Sequence, residues 1–516
     1  MSEVTTPQAT RAHRSTMAQT FADGAPPGAI AGLGGGLAFG ASMLKLGQLE
    51  SIATLVRADS VVIGAIVHLM VAAVVGAVFG SMIAHQRATA ADTLVWGIAF
   101  GAFFWFLGPL TLRPLILGHS VRWDIHTARD FFGSLIGHVV WGAVTGLSLA
   151  AVRAAVPRWR TRPAGDVRVG SRLSVRRLVI AASSGAAAGV AAAAILTSLV
   201  PERQWLVASV EGRHAAHWLG ALAVGAAAGA LYAILIPYSA SPTSPRTGPR
   251  LVQGLALGFL AWIMVALTIV PLVEIDTLAW DAQRAQGRFE VLPGYLLFGA
   301  LTVVVYCVIS GSARFLFSDE LREYDRLAAG PQRVRAVLRG AFAGMVGGLI
   351  FTIVMVQVGA LGRVSRLVGM RSPVVGFFVH MAVATFIGIT YSLLFRRQSF
   401  DVRSAAGWGI AYGLLWWVLG ALTLLPALLG GDPQWSAAEA AAAFPSLIGH
   451  LAYGVGLGIV FYLLEASYSP WWITRSESET ARVVSRRDQL LTSAPALGAF
   501  VVFVAVFVSI VLAGDG

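Results

Sequence analysis

The sequence predicts an all-α polytopic membrane protein: three parallel four-helix repeats followed by one C-terminal transmembrane helix, about thirteen spans in all. Three observations carry this expectation. Hydrophobic residues make up 56% of the chain and charged residues only 12%, with a mean hydropathy of +0.72, far from a soluble composition. Apolar runs recur at lengths that cross a hydrocarbon core of about 30 Å at about 1.5 Å per helical residue. Finally, one pattern returns. Adding 312 to Gly28, His68, Gly76, Trp105, Thr111, Pro114, Trp123, His138 and Gly142 gives Gly340, His380, Gly388, Trp417, Thr423, Pro426, Trp435, His450 and Gly454. A degenerate copy lies between, offset by 149 at His217 and by 157 at Gly258, Trp262, Thr268, Pro271 and Trp280.

Taken in order, residues 1–27 lack an apolar core and read as a disordered cytoplasmic arm ending at Pro26-Pro27. Repeat 1 spans 28–152, with apolar runs near 28–46, 61–84, 92–115 and 131–152. A basic linker, 153–177, leads to the degenerate repeat 2 at 178–312; a charged linker, 313–339, leads to repeat 3 at 340–465. A polar segment, 466–492, precedes the last apolar run within 493–516. None of these connecting stretches has the size or composition of a soluble catalytic domain.

Orientation follows from the arginines. The first linker carries Arg153, Arg158, Arg160, Arg162, Arg168, Arg172, Arg176 and Arg177 against Asp166 alone, and the second carries Arg314, Arg322, Arg326, Arg333, Arg335 and Arg339. The positive-inside rule puts both in the cytoplasm, with the N-terminus cytoplasmic and the C-terminus external. An even number of helices per repeat makes the repeats parallel, unlike the inverted pairs of many transporters. The net charge of +12 resides at helix ends without interleaved aromatics, so anionic lipid and topology account for it, and no nucleic acid is expected as a partner. The single cysteine, Cys307, excludes an intrachain disulfide and any multi-cysteine metal site.

The second helix of each repeat carries a histidine followed by small residues four and eight positions on: His68, Ala72, Gly76; His217, Ala221, Gly225; His380, Ala384, Gly388. Small residues on one face let backbones approach closely, so each helix reads as a packing seam. The fourth helix has Gly137-His138 and Gly449-His450, whereas in repeat 2 the equivalent position falls near Phe298 and no histidine is available. Both histidines of a repeat sit at similar depth, roughly 10 Å below the outer helix ends. His68, His138, His380 and His450 are therefore the candidate cofactor ligands, for a metal or a b-type haem. The alternative is that each imidazole is interhelical glue bonded to a backbone carbonyl.

The third helix contributes Gly-x3-Trp-x5-Thr-x2-Pro-x8-Trp in all three repeats: Trp105, Thr111 and Trp123; Trp262, Thr268 and Trp280; Trp417, Thr423 and Trp435. Proline removes a helical hydrogen bond and the threonine hydroxyl can help satisfy the freed backbone, so the helix bends or ends there. The last tryptophan of each set is expected at the headgroup interface. These side chains read as packing or pocket residues, with an aromatic wall around a bound group as the functional alternative. The outer segments hold Arg113, His119, Arg122, Asp124, His126, Arg129 and Asp130, then Glu274, Asp276, Asp281 and Glu290, then Asp432 and Glu439. His119, Asp124 and His126 could gather a divalent cation, but without fixed spacing a solvated loop is the stronger reading. There is no Walker loop, zincin motif, nucleophile elbow or triad, hence no catalytic motif.

Trp105 to Pro114 with Gly137 to Gly142, and Trp417 to Pro426 with Gly449 to Gly454, form a tryptophan-to-proline run followed by G-H-x-x-W/Y-G. In this the chain resembles the four-helix YagU-like bacterial inner-membrane proteins, of which it would be a three-unit fusion with an added helix. The resemblance implies a fold and a bacterial inner-membrane location, and no reaction. Three readings remain: a structural or accessory subunit contacting lipid and other membrane subunits; a b-type haem redox subunit using His68/His138 and His380/His450; or a transporter or channel with an outer-half histidine site.

Overall fold

The computed structural model describes residues 17–84, 90–121, 123–156, 175–199, 214–235, 247–317, 329–396, 398–399, 401–466 and 494–513. Every regular element among them is helical. Among the described residues eleven helices are long and apolar enough to cross a membrane, and two further apolar stretches, Leu219–Leu235 and Gly498–Leu512, are shorter. The protein is an all-α, multi-pass membrane protein in contact with the lipid bilayer.

The first group of helices is α1 (Met17–Lys45), α2 (Val61–Met82), α3 (Ala90–Leu107), the short α4 (Ile125–Asp130) and α5 (Phe132–Ala155). The second is α6 (Val175–Leu199), α7 (His214–Leu235), α8 (Thr247–Trp262), the short α9 (Ala282–Gly287) and α10 (Leu292–Phe317). The third is α11 (Ala329–Gln357), α12 (Pro373–Phe395), α13 (Val402–Trp416), the short α14 (Ala437–Ala442) and α15 (Phe444–Ala466), and α16 (Ala494–Leu512) stands last. One pairing recurs in every group. The first long helix packs on the second and the fourth, and the third packs on the fourth.

Small residues set these contacts. In the α1–α2 seam a Cβ built on Gly76 would lie 2.5 Å from the carbonyl oxygen of Gly28 and 2.6 Å from the Gly32 Cα, so backbone meets backbone. Gly344 and Gly388 repeat this between α11 and α12, as do Gly189 and Gly225 between α6 and α7. Lipid tails are as apolar as leucine, so such close approach, which maximises dispersion, is what holds helices together in a bilayer.

The seam also explains a correction. The expected arm of residues 1–27 is too long, because α1 begins at Met17 and carries Pro26 and Pro27 inside it. The prolines forfeit two helical hydrogen bonds, but Gly24 and Gly28 on either side are pressed against Gly80 and Gly76, so tertiary packing holds the helix through them. Likewise the expected linker 313–339 is invaded from both ends, by α10 to Phe317 and by α11 from Ala329. Residues 1–16, most of the 153–177 linker, the loop around 239–246 and the 467–492 segment lie outside the described residues.

The last helix has the least expected position. α16 packs against α3, α8 and α13, the third long helix of each group, and against the short helices α4, α9 and α14. Phe500, Val504, Phe507, Val508 and Val511 on it are buried, while Val502 and Val506 form an exposed stripe. Phe507 meets Phe132 at 4.8 Å, Phe259 at 5.1 Å and Trp262 at 5.7 Å between ring centroids, touching the first and second groups at once. Arg129, on the short α4, donates to the carbonyls of Ile510 and Ala513, where a helix C-terminus has unfilled acceptors and negative dipole.

Candidate functional site

The tryptophan–threonine–proline pattern builds a clamp at the end of each group that carries the short helices. Each third helix widens into a π-helical turn before its proline: Gly108–Leu112, Ile263–Ile269 and Trp417–Leu424. The threonine hydroxyl donates to the carbonyl five residues back, Thr111 to Phe106, Thr268 to Ile263 and Thr423 to Val418, at 2.7 to 2.9 Å. It accepts in turn from the indole Nε1 twelve residues on, Trp123, Trp280 and Trp435, at 3.0 to 3.3 Å.

Proline strands the carbonyl four residues before it, and that carbonyl is filled from the same returning segment. Leu267 O accepts from the Ala279 N–H at 2.9 Å and Leu422 O from the Gln434 N–H at 2.7 Å; the equivalent donor in the first group, Arg122, lies outside the described residues. The inner tryptophan ties down the next turn. Trp105 Nε1 donates to Phe131 O, Trp262 Nε1 to Arg288 O and Trp417 Nε1 to Ala443 O, each the carbonyl of the residue that caps the C-terminal end of a short helix. Those short helices are capped at their other ends by Asp124, Asp281 and Ser436. The spacing of the pattern is thus the spacing of its hydrogen bonds. Trp280 and Trp435 are buried, contrary to the headgroup expectation, whereas Trp123, with the same indole-to-threonine bond, is exposed at 65%.

Asp124 spends its carboxylate on the N–H of Thr127, which chiefly holds it below the usual carboxylate range. His119 lines a separate pocket over Pro114 and Arg113. Among the described residues no three His, Cys, Asp or Glu side chains converge as a metal site would require.

The histidines of the first group do face a common space. His68 Nε2 lies 3.0 Å from Gly36 O and His138 Nδ1 lies 2.7 Å from Ser134 O, so each nitrogen donates its proton to a carbonyl. Between the two imidazoles stands the Phe39 ring, edge-on to both, with centroids 5.3 Å from His68 and 5.2 Å from His138. The third group repeats the arrangement: His380 Nε2 on Gly348 O at 3.0 Å, His450 Nδ1 on Ser446 O at 2.7 Å, and Phe351 between the rings at 5.3 and 4.6 Å. Gly137 and Gly449 are the seats of these phenyl rings, since a Cβ at either would collide with Phe39 or Phe351. A haem between the paired histidines does not fit this arrangement, because the phenyl ring already fills the gap and His68 and His380 have committed Nε2 as donors.

In the second group the position matching His138 is Tyr295, not Phe298. Gly258 abuts Tyr295 O as Gly101 abuts His138 O, and the offset of 157 is common to both members. Phe298 instead matches Trp141. The side chain of His217 lies outside the described residues.

One cavity, of about 430 Å³, opens from the His68/His138 pair toward the short-helix end of the first group. Its deep part is lined by Phe39, Phe104 and Trp141 with the two histidines; its mouth holds Arg113, Gln48, Ser51 and Asp130. Trp141 Nε1 is taken by Gly32 O at 3.2 Å. Phe39 and Phe351 escaped the sequence reading, and Arg113 was read there only as one of the polar residues of the outer segment. Phe39 and Phe351 share the 312 offset and stand one helix before the histidines; Arg113 is a lone cation just before the proline, replaced by Val270 and Leu425 in the other two groups. Comparison with family models, with curated proteins and with solved structures finds no match to this chain.

Proposed function

We propose that this is a structural or accessory protein of a bacterial inner membrane, three parallel four-helix units assembled on the last helix, about thirteen crossings in total. The units correspond to 28–152, 178–312 and 340–465 extended at their ends by the helices described above. The similarity of the first and third units to single four-helix YagU-like proteins supports reading the chain as a fusion. One observation carries the structural role: the polar groups of the repeated pattern are spent on helix-to-helix and turn contacts. The indole, hydroxyl and imidazole donors each end on a carbonyl or hydroxyl of the chain. Such interhelical bonds are worth about 0.6 kcal/mol each on average in a bilayer, so their number matters more than any one.

The direct test is spectroscopic. Protein purified from its native membrane is expected to show no Soret band and no stoichiometric metal. His68→Ala and His138→Ala are each expected to lower the melting temperature with nothing released. A Soret band lost on either substitution would replace the structural reading by the redox one.

The arginine-rich junctions support a cytoplasmic N-terminus and an external C-terminus. A reporter placed after Gly516 should be active outside and one inserted near Gly165 inside. A cytoplasmic signal from the C-terminal fusion would overturn the assignment of orientation and the parity of the crossings.

A further inference from the structure

We propose that the cavity of the first unit is a binding site for one anionic lipid, its acyl chain running past Phe39 toward the histidines and its acidic headgroup held by Arg113. This goes beyond the structural role and stands on the first unit alone. The volume of about 430 Å³ falls within the range of small-molecule sites, about 300 to 1,000 Å³. Its deep end is walled by aromatic rings and by two imidazoles that each spend a nitrogen on a carbonyl, and its mouth is polar, a distribution that suits an amphiphile.

The site can be reached from the bilayer. α1 packs on α2 and α5, and α3 packs on α5, but α2 and α3 make no comparable contact, so the four helices leave one side of the unit unsealed. Val71 on α2, with Leu112 and Ile116 beyond α3, line the cavity and are exposed, at 41%, 41% and 64%, as residues at its opening are. α2 carries a continuous exposed apolar face, including Ile66, Met70, Val74 and Val78, as a lipid-facing helix does. The opening therefore faces acyl chains.

Arg113 specifies the sign of the headgroup. Its guanidinium is half-buried at the mouth, stacked 5.7 Å over the Phe131 ring, with one long contact of 3.4 Å to Ser51 O. Its Nε is buried with no hydrogen-bond partner, and no carboxylate lies within ion-pair distance among the described residues, although Asp130 lines the same mouth. An intramembrane cation without a counter-ion is costly and marks a site where an anion arrives. Guanidinium binds phosphate and carboxylate oxygens through paired N–H groups. The other units supply the control, since Val270 and Leu425 stand where Arg113 does and cannot hold an anion.

The test uses the full chain in mild detergent, titrated with dioleoyl phosphatidylglycerol and with dioleoyl phosphatidylcholine, and bound lipid counted by mass spectrometry of the intact complex. One equivalent of phosphatidylglycerol is expected to saturate, with phosphatidylcholine at least about tenfold weaker, the scale of a charged hydrogen bond. Arg113→Gln is expected to remove that preference while leaving phosphatidylcholine binding unchanged. Val71→Trp is expected to block both lipids by filling the opening. Competition by millimolar inorganic phosphate as strong as that of the lipid would show a free-anion site and overturn the proposal. So would equal affinity of the wild type for both lipids, two or more equivalents of equal affinity, or unchanged binding in folded Arg113→Gln and Val71→Trp.

Discussion

Gly76→Leu is expected to abolish recovery of folded protein, and Gly388→Leu to do the same. Even one added carbon at Gly76 would sit 2.6 Å from the Gly32 Cα, and at Gly388 it would sit 2.6 Å from the Gly344 Cα. These neighbours are backbone on a rigid helix and cannot swing aside, so α1 and α2, or α11 and α12, must separate along their length. Overpacking by a few methylenes costs about 1 to 3 kcal/mol where side chains can adjust, and here they cannot. Separation also forfeits the close contacts that hold helices together in lipid. The control is Gly362→Ala, at a helical glycine with nothing within 4 Å of the new Cβ, expected within about 0.5 kcal/mol of the parent. Size-exclusion profiles and melting temperatures of the three variants decide the matter; parental melting of both leucine variants would show that these faces point to lipid.

Phe507→Ala is expected to lower stability by about 3 kcal/mol, the low end for a buried phenylalanine, because surrounding lipid weakens the solvent-transfer part but not the loss of dispersion contacts. Phe507 is fully buried, and its ring is shared between Phe132 of the first unit and Phe259 and Trp262 of the second. A void there loosens two units together. Val506→Ala, one residue away on the exposed stripe of α16, is expected to be nearly silent. Equal melting of the two variants would mean that α16 is attached to the bundle without holding it.

Much of this architecture was legible from spacing alone, since a common offset of 312 carries the glycine seams, the histidines and the clamp residues together. The helical, multi-pass character was legible for the same reason composition excludes a soluble chain. What was not legible depended on direction and not on position. Trp123, Trp280 and Trp435 all bond their threonine yet only the last two are buried, and a single sequence reveals neither the i to i−5 register of the π-helical turn nor which indoles the fold encloses. Tyr295 was mistaken for Phe298 because the second unit carries two offsets, and only the Gly258 contact selects between them. Pro26 and Pro27 read as an ending because the glycines that hold them straight belong to a different helix. The central place of α16 had no signal in composition, since α2 is apolar on nearly every face as well and yet faces lipid.

That central place imposes an order on synthesis. Arg129 reaches carbonyls 381 and 384 residues further along the chain, so at about 5 to 20 residues per second the ribosome needs tens of seconds to deliver the acceptors. Throughout that interval α3, α8 and α13 have no partner along the face that α16 will cover. The units touch directly at Lys45 with Asp276 and at Gly248 with Leu394, so they can associate earlier, but the face they share with α16 stays open until that helix is made. A chain ended before residue 494 should accordingly melt well below the full chain, because that shared face is left uncovered.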